Sequence, residues 1–174
     1  RTFENTRWDD MIEKSNYTSL SNVKIFDAPR QSGKTTFLIH EFVDAYIDIL
    51  TNNFDEPELN QYRLPWYVTP NREMKRHAAS LVGEYVESRL VGDSEAIVNA
   101  VTQSIVKRVL STQDTGFKQD DFGWTLPDTV YYLDEAYDIL NKTGLGVPSL
   151  YDLLNSPSAY IITITQHFQK EEEK

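Results

Sequence analysis

Val23-Lys24-Ile25-Phe26-Asp27-Ala28-Pro29-Arg30-Gln31-Ser32-Gly33-Lys34-Thr35-Thr36 is the stretch that decides the fold. Its first five residues form a short β-branched and aromatic run, closed by Ala28-Pro29, which suits a buried strand. From Gly33 the period changes. Phe37, Phe42 with Val43, Tyr46 with Ile47, and Leu50 recur at the three- and four-residue spacings of an amphipathic helix. Between strand and helix, Ala28 to Thr35 fits G-x-x-x-x-G-K-[ST] at every position except the first, where Ala replaces Gly. Such a loop wraps phosphates with successive backbone N–H groups and the positive end of the following helix. Gly33 allows the backbone to approach closely, Lys34 would reach the β- and γ-phosphates, and the Thr35 hydroxyl would hold Mg²⁺. The expected contacts to the phosphates run from Ala28 to Thr36.

Val130-Tyr131-Tyr132-Leu133-Asp134-Glu135 supplies a second half. Four apolar residues run as a buried strand and deliver two carboxylates to its C-terminal tip, where ligands bind in open parallel sheets. Asp134 would take Mg²⁺ through water, because this ion keeps much of its hydration shell. Glu135 would orient and deprotonate an attacking water. Together the two stretches predict hydrolysis of a nucleoside triphosphate.

Working outward, residues 1–22 are polar with scattered aromatics (Phe3, Trp8, Tyr17) and read as a lead-in with one helical turn. Asn52 to Pro65, with Asp55, Glu56 and Glu58, reads as an excursion loop. Trp66-Tyr67-Val68-Thr69 is a strand, and Thr69-Pro70 opens a helix with Thr69 as N-cap. Met74, Ala78, Leu81, Val82, Tyr85 and Val86 form that helix's apolar stripe. Residues 94–104 read as helix, Ile105 to Leu110 as strand, and Thr112 to Pro127 as loop. Thr129 to Leu133 and Ala159 to Thr165 are further strands. Strands alternating with helices predict an α/β fold, with a mainly parallel central sheet flanked by helices in one domain over residues 1–174. Gly144-Leu145-Gly146-Val147-Pro148 reads as a connector, and 167–174 as a frayed tail.

The chain has 174 residues, one domain's worth, with 17 Lys and Arg against 27 Asp and Glu, for a net charge of −10. A protein gripping duplex DNA by overall charge should be basic, so any nucleic-acid contact here must be local or made by another part. There are no cysteines, which excludes disulfides and cysteine-held zinc and fits an intracellular setting. No apolar run is long enough to span a bilayer, and Arg1-Thr2-Phe3-Glu4 is no signal peptide. The chain does not begin with Met, so a fragment of a longer chain is expected. His40, His77 and His167 lack metal-ligand spacing. Arg72, Lys75 and Arg76 gather early in the helix after Thr69, either as a solvated face or as phosphate contacts.

Lys34 and Asp134 lie 100 residues apart. That separation leaves room for an inserted strand, with Trp66 to Thr69 as the candidate. An inserted strand and a glutamate beside the metal-binding aspartate resemble the additional-strand, catalytic-glutamate division of P-loop NTPases. Within it, Arg30-Gln31-Ser32-Gly33-Lys34-Thr35-Thr36 is similar to the phosphate loop of large terminase subunits, the DNA-packaging motor ATPases of tailed bacteriophages. Trp66-Tyr67-Val68-Thr69-Pro70-Asn71 resembles the second strand and turn that terminases share with helicases. Thr163-Ile164-Thr165-Gln166 resembles their coupling motif, although Ile164 stands where small residues are typical. The resemblance implies ATP as substrate and Mg²⁺ as cofactor. It also implies a catalytic set of Glu135, Lys34 and Arg30, metal binding by Thr35 and Asp134, and nucleotide sensing by Thr165 and Gln166. Arg30 would lie near the γ-phosphate of its own or a neighbouring subunit; alternatively it bonds a loop carbonyl or an acidic neighbour. The resemblance further implies double-stranded DNA as partner, a homo-oligomeric ring on a capsid portal, and the host cytoplasm as setting. No Gln precedes Gln31 to contact adenine, which leaves Trp8 or the 5–16 segment for that role. Terminases continue into a nuclease domain, and nothing in residues 1–174 implies one. The competing readings are a helicase-like or regulatory P-loop ATPase, and a nucleotide-binding assembly module without turnover.

Overall fold

The computed structural model describes residues 3–20, 23–29, 33–52, 64–111, 118–120, 123–125, 130–135 and 160–166. In chain order the elements are α1 (Phe3–Lys14), β1 (Asn16–Leu20), β2 (Val23–Ala28), α2 (Lys34–Asn52), β3 (Trp66–Thr69) and α3 (Arg72–Arg89). There follow α4 (Glu95–Val106), β4 (Val109–Ser111), β5 (Lys118–Asp120), β6 (Gly123–Thr125), β7 (Val130–Asp134) and β8 (Tyr160–Gln166). Six strands form one sheet in the order β1-β2-β8-β7-β3-β4. All neighbours pair in parallel except β1, which runs antiparallel to β2 at the sheet edge. Strands β5 and β6 make a separate antiparallel pair.

The pleat sorts the strand residues. Phe26 on β2, Tyr67 on β3, Val109 on β4 and Tyr132 on β7 are buried in one cluster with the helices. Into it come Met11 of α1, Leu38, Phe42 and Val43 of α2, Ala78, Val82 and Val86 of α3, and Ile105 of α4. Burying one such side chain contributes about 1.5–3 kcal/mol, so α2, apolar over most of its turns, anchors the layer. Val68, Tyr131 and Leu133 are buried as well, outside this cluster, at the alternate positions of their strands. Tyr67 stands opposite Tyr132 in the β3–β7 register, so Tyr67 and Asp134 share the helix-bearing face.

Several elements differ from their sequence reading. Residues 3–14 form a three-turn helix rather than a lead-in with one turn. Its anchors are tertiary: Trp8 packs edge-on to Phe26 and Phe37 at centroid distances of 5.0 and 6.1 Å, and Arg7 pairs with Glu41 and Asp44. Local periodicity carries little of that signal. The N-cap of α3 is Asn71, whose side chain accepts from the Met74 N–H at 2.9 Å. Thr69 instead ends β3 and donates its hydroxyl to the Leu110 carbonyl at 2.9 Å. Ile105 and Val106 close α4, so the strand expected from Ile105 begins only at Val109. The stretch expected to be loop after Thr112 contains β5 and β6. Trp66–Thr69 is a strand between the two motifs along the chain, as expected, but in space it lies on the far side of β7 and β8 stands between β2 and β7. Sequence order alone does not reveal that crossing. The acidic cluster at 55–58 and the 144–148 segment lie outside the described residues.

Candidate functional site

Two strand ends and one helix start meet. β2 ends at Ala28, fully buried, and Pro29 beyond it is exposed. Gly33 follows with φ +79°, a left-handed conformation that a Cβ would strain although open space surrounds it. The Phe37 N–H donates to the Gly33 carbonyl at 2.9 Å, which starts α2. The first N–H groups of that turn have no intrahelical acceptor, and the turn itself carries no acidic residue. This end of α2 therefore presents donors and positive potential.

Lys34 and Thr35 project from this turn toward the tip of β7. Lys34 is 93% buried by its 7% exposure, and its Nζ lies 3.0 Å from Glu135 Oε1. Apart from that ion pair, Nζ has no hydrogen-bond partner among the described residues. Thr35 Oγ1 donates to Asp134 Oδ1 at 3.4 Å, and the Tyr67 hydroxyl donates to Asp134 Oδ2 at 2.8 Å. Asp134 is 1% exposed. Burial pushes its carboxyl up to about 6, the Tyr67 hydrogen bond opposes that, and the Glu135 charge adds to it. Lys34 and Thr35 pull it back down. Glu135 adopts φ +52°, the one positive φ outside glycine among the described residues. Backbone held in this region costs about 1–2 kcal/mol in an L residue and gathers at functional sites. Here it accompanies a turn that leaves the carboxylate on Lys34.

The structure thus brings together Gly33, Lys34, Thr35, Asp134 and Glu135. Thr36 is exposed and lines a groove of about 330 Å³ between α2 and α3, with His40, Leu81 and Tyr85. The backbone of Thr165 and Gln166 at the end of β8 pairs with Asp27 and Ala28, and Ile164 pairs with Asp134. Thr165 and Gln166 therefore lie between the two motif-bearing strands. Arg30, Gln31 and Ser32 lie outside the described residues. Trp8 is engaged with Tyr17, Phe26 and Phe37.

Two features were missed from sequence. Tyr67 is one; its signal was the alternation that puts it on the Thr69 face of a strand. The other is a polar cluster on α2. Asp44 accepts from Arg7 (2.6 Å), from the Tyr85 hydroxyl (2.9 Å) and from Arg89, while Glu41 accepts from Arg7 (2.8 Å). His40 stacks on Tyr85 at 3.9 Å, and burial followed by the Arg7 charge lowers its pKa. This cluster ties α1 and α3 to α2. No group of three or more His, Asp or Glu suited to a metal occurs among the described residues.

No protein-family model, curated protein or solved structure matches this chain significantly, so residues and geometry carry the functional reading.

Proposed function

We propose that this chain is a P-loop ATPase domain of the additional-strand, catalytic-glutamate type, hydrolysing ATP with Mg²⁺. The observation that carries the proposal is Lys34. A buried ammonium whose partner among the described residues is the Glu135 carboxylate, at a helix start whose first N–H groups have no intrahelical acceptor, suits an anionic ligand. Thr35 and Asp134 fit Mg²⁺, which takes one or two protein oxygens and completes its shell with water and substrate phosphates. The ion supplies charge neutralisation on the phosphates. Lys34, drawn to the phosphates, leaves Glu135 and frees that carboxylate to accept a proton from water. Glu135 then acts as general base at the strand tip, while Thr35 and Asp134 hold the metal side.

The proposed task of the hydrolysis is translocation of double-stranded DNA into a viral capsid, inside a host cell. This part rests on the terminase resemblance of residues 30–36, 66–71 and 163–166. The net charge of −10 assigns most of the grip on DNA to other parts of an oligomeric assembly. Arg72 and Arg76, exposed at the start of α3, are the local candidates on this chain. Calorimetric titration with Mg-ATP tests the site: wild type is expected to bind and Lys34→Ala to lose binding. Equal binding by both proteins contradicts the proposal. Turnover stimulated by duplex DNA supports the motor, and stimulation by single strands alone supports a helicase-like role.

A further inference from the structure

Tyr67 has no catalytic or binding role in the sequence reading, yet its hydroxyl touches the carboxylate at the centre of the site. It is fully buried on β3. Phe42 of α2 packs on its ring at 5.4 Å, and its hydroxyl donates to Asp134 Oδ2 at 2.8 Å. The other oxygen, Oδ1, is the one facing Thr35. The two oxygens of Asp134 are thereby divided: one is held from behind, the other left toward the threonine. The neighbouring hydroxyl on the same strand face, Thr69, is already spent on the Leu110 and Asn71 carbonyls. Burial, followed by the adjoining Asp134 charge, raises the Tyr67 pKa far above its ordinary range, so it stays a neutral donor.

We propose that Tyr67 is a positioning residue for the divalent cation: its hydroxyl clamps Asp134 Oδ2 so that Oδ1 faces the metal side with Thr35. The inference rests on the ATPase reading above and deepens it. Partners of this kind, one shell behind a ligand, fix the ligand's orientation. Without the hydroxyl, a buried carboxylate loses its closest donor and is free to rotate about its Cβ–Cγ bond. Tyr67→Phe keeps the ring against Phe42 and removes only the oxygen.

The test is binding of a fluorescent ATP analogue, first in EDTA and then across a Mg²⁺ titration, for wild type, Tyr67→Phe and Phe42→Leu. Phe42→Leu loosens the same packing without touching the hydroxyl. The Mg²⁺ midpoint is read on the folded fraction and does not depend on how much protein is folded. Tyr67→Phe is expected to need roughly 10- to 100-fold more Mg²⁺ for half-maximal tightening, the range for losing such a partner. Its metal-free nucleotide affinity is expected to match wild type, and Phe42→Leu to keep the wild-type midpoint. A wild-type midpoint in Tyr67→Phe, or an equal shift in Phe42→Leu, overturns the role of Tyr67 and leaves the ATPase reading standing. Wild-type protein whose nucleotide binding ignores Mg²⁺ overturns the ATPase reading, and this inference with it.

Discussion

Asp134→Asn is expected to stabilise the nucleotide-free protein at neutral pH while disabling its site. The Asp134 carboxyl moves from an ordinary 3.8 to about 6, burial first, with the Tyr67 hydrogen bond opposing. A folded-state pKa above the unfolded one means that the folded chain binds the extra proton. Stability is then fully present below 3.8 and is lost as pH rises toward 6. At about 1.4 kcal/mol per pH unit, the ionised carboxylate costs the fold about 3 kcal/mol near pH 7.5. An amide carries no charge to desolvate and keeps an oxygen for the Tyr67 hydroxyl. The variant should therefore melt higher than wild type at pH 7.5, by roughly 6–12 °C for a domain of this size. Its advantage should shrink through the window between 6 and 3.8 and nearly vanish below it. Differential scanning calorimetry at several pH values measures this directly, and the difference between the two proteins cancels other titrating groups such as His40. Mg-ATP at about 100 times its dissociation constant should add about 2.7 kcal/mol to wild type and little to the variant. A variant less stable than wild type at pH 7.5, or a gain independent of pH, would refute the reasoning.

Other substitutions probe the frame of the site. Asp44→Ala removes the acceptor shared by Arg7, Tyr85 and Arg89, and is expected to cost about 3–5 kcal/mol in urea denaturation, the range for breaking a buried ion pair. A loss below about 1 kcal/mol would show that α1 and α3 do not depend on it. Gly33→Ala meets open space, so its cost is backbone strain alone, about 1–2 kcal/mol from the positive φ. Calorimetry of that variant should also show weaker Mg-ATP binding, because the loop cannot hold the left-handed turn without strain.

The residues that the structure gathers at the candidate site stand out in the sequence because each motif is local. A strand run, a Gly-Lys-Thr and an amphipathic period sit within 30 residues, and the aspartate–glutamate pair ends its own apolar run. Their meeting in space follows from the two strands entering one sheet. What sequence hid was non-local. Whether β3 or β8 separates β2 from β7 depends on crossover connections rather than strand composition. Helix α1 is fixed by Arg7 reaching Glu41 and Asp44, residues 34 and 37 positions away. Tyr67 reads in sequence only as part of a short strand, and 67 positions separate it from the carboxylate it contacts. Asn71 outcompeted Thr69 as cap because Thr69's hydroxyl found an acceptor on the neighbouring strand.

In the proposed ATPase, Glu135 is the residue that would separate hydrolysis from mere nucleotide binding. The decisive measurement is steady-state ATP turnover together with Mg-ATP affinity for wild type and Glu135→Gln, at high protein concentration, with and without duplex DNA. Wild type is expected to turn over ATP. The variant should bind at least as tightly, since Lys34 is released from its ion pair, while losing about 10²- to 10⁴-fold in rate, the contribution of a general base. Unchanged turnover in Glu135→Gln, or loss of binding in step with turnover, would contradict a glutamate-driven hydrolase at this site.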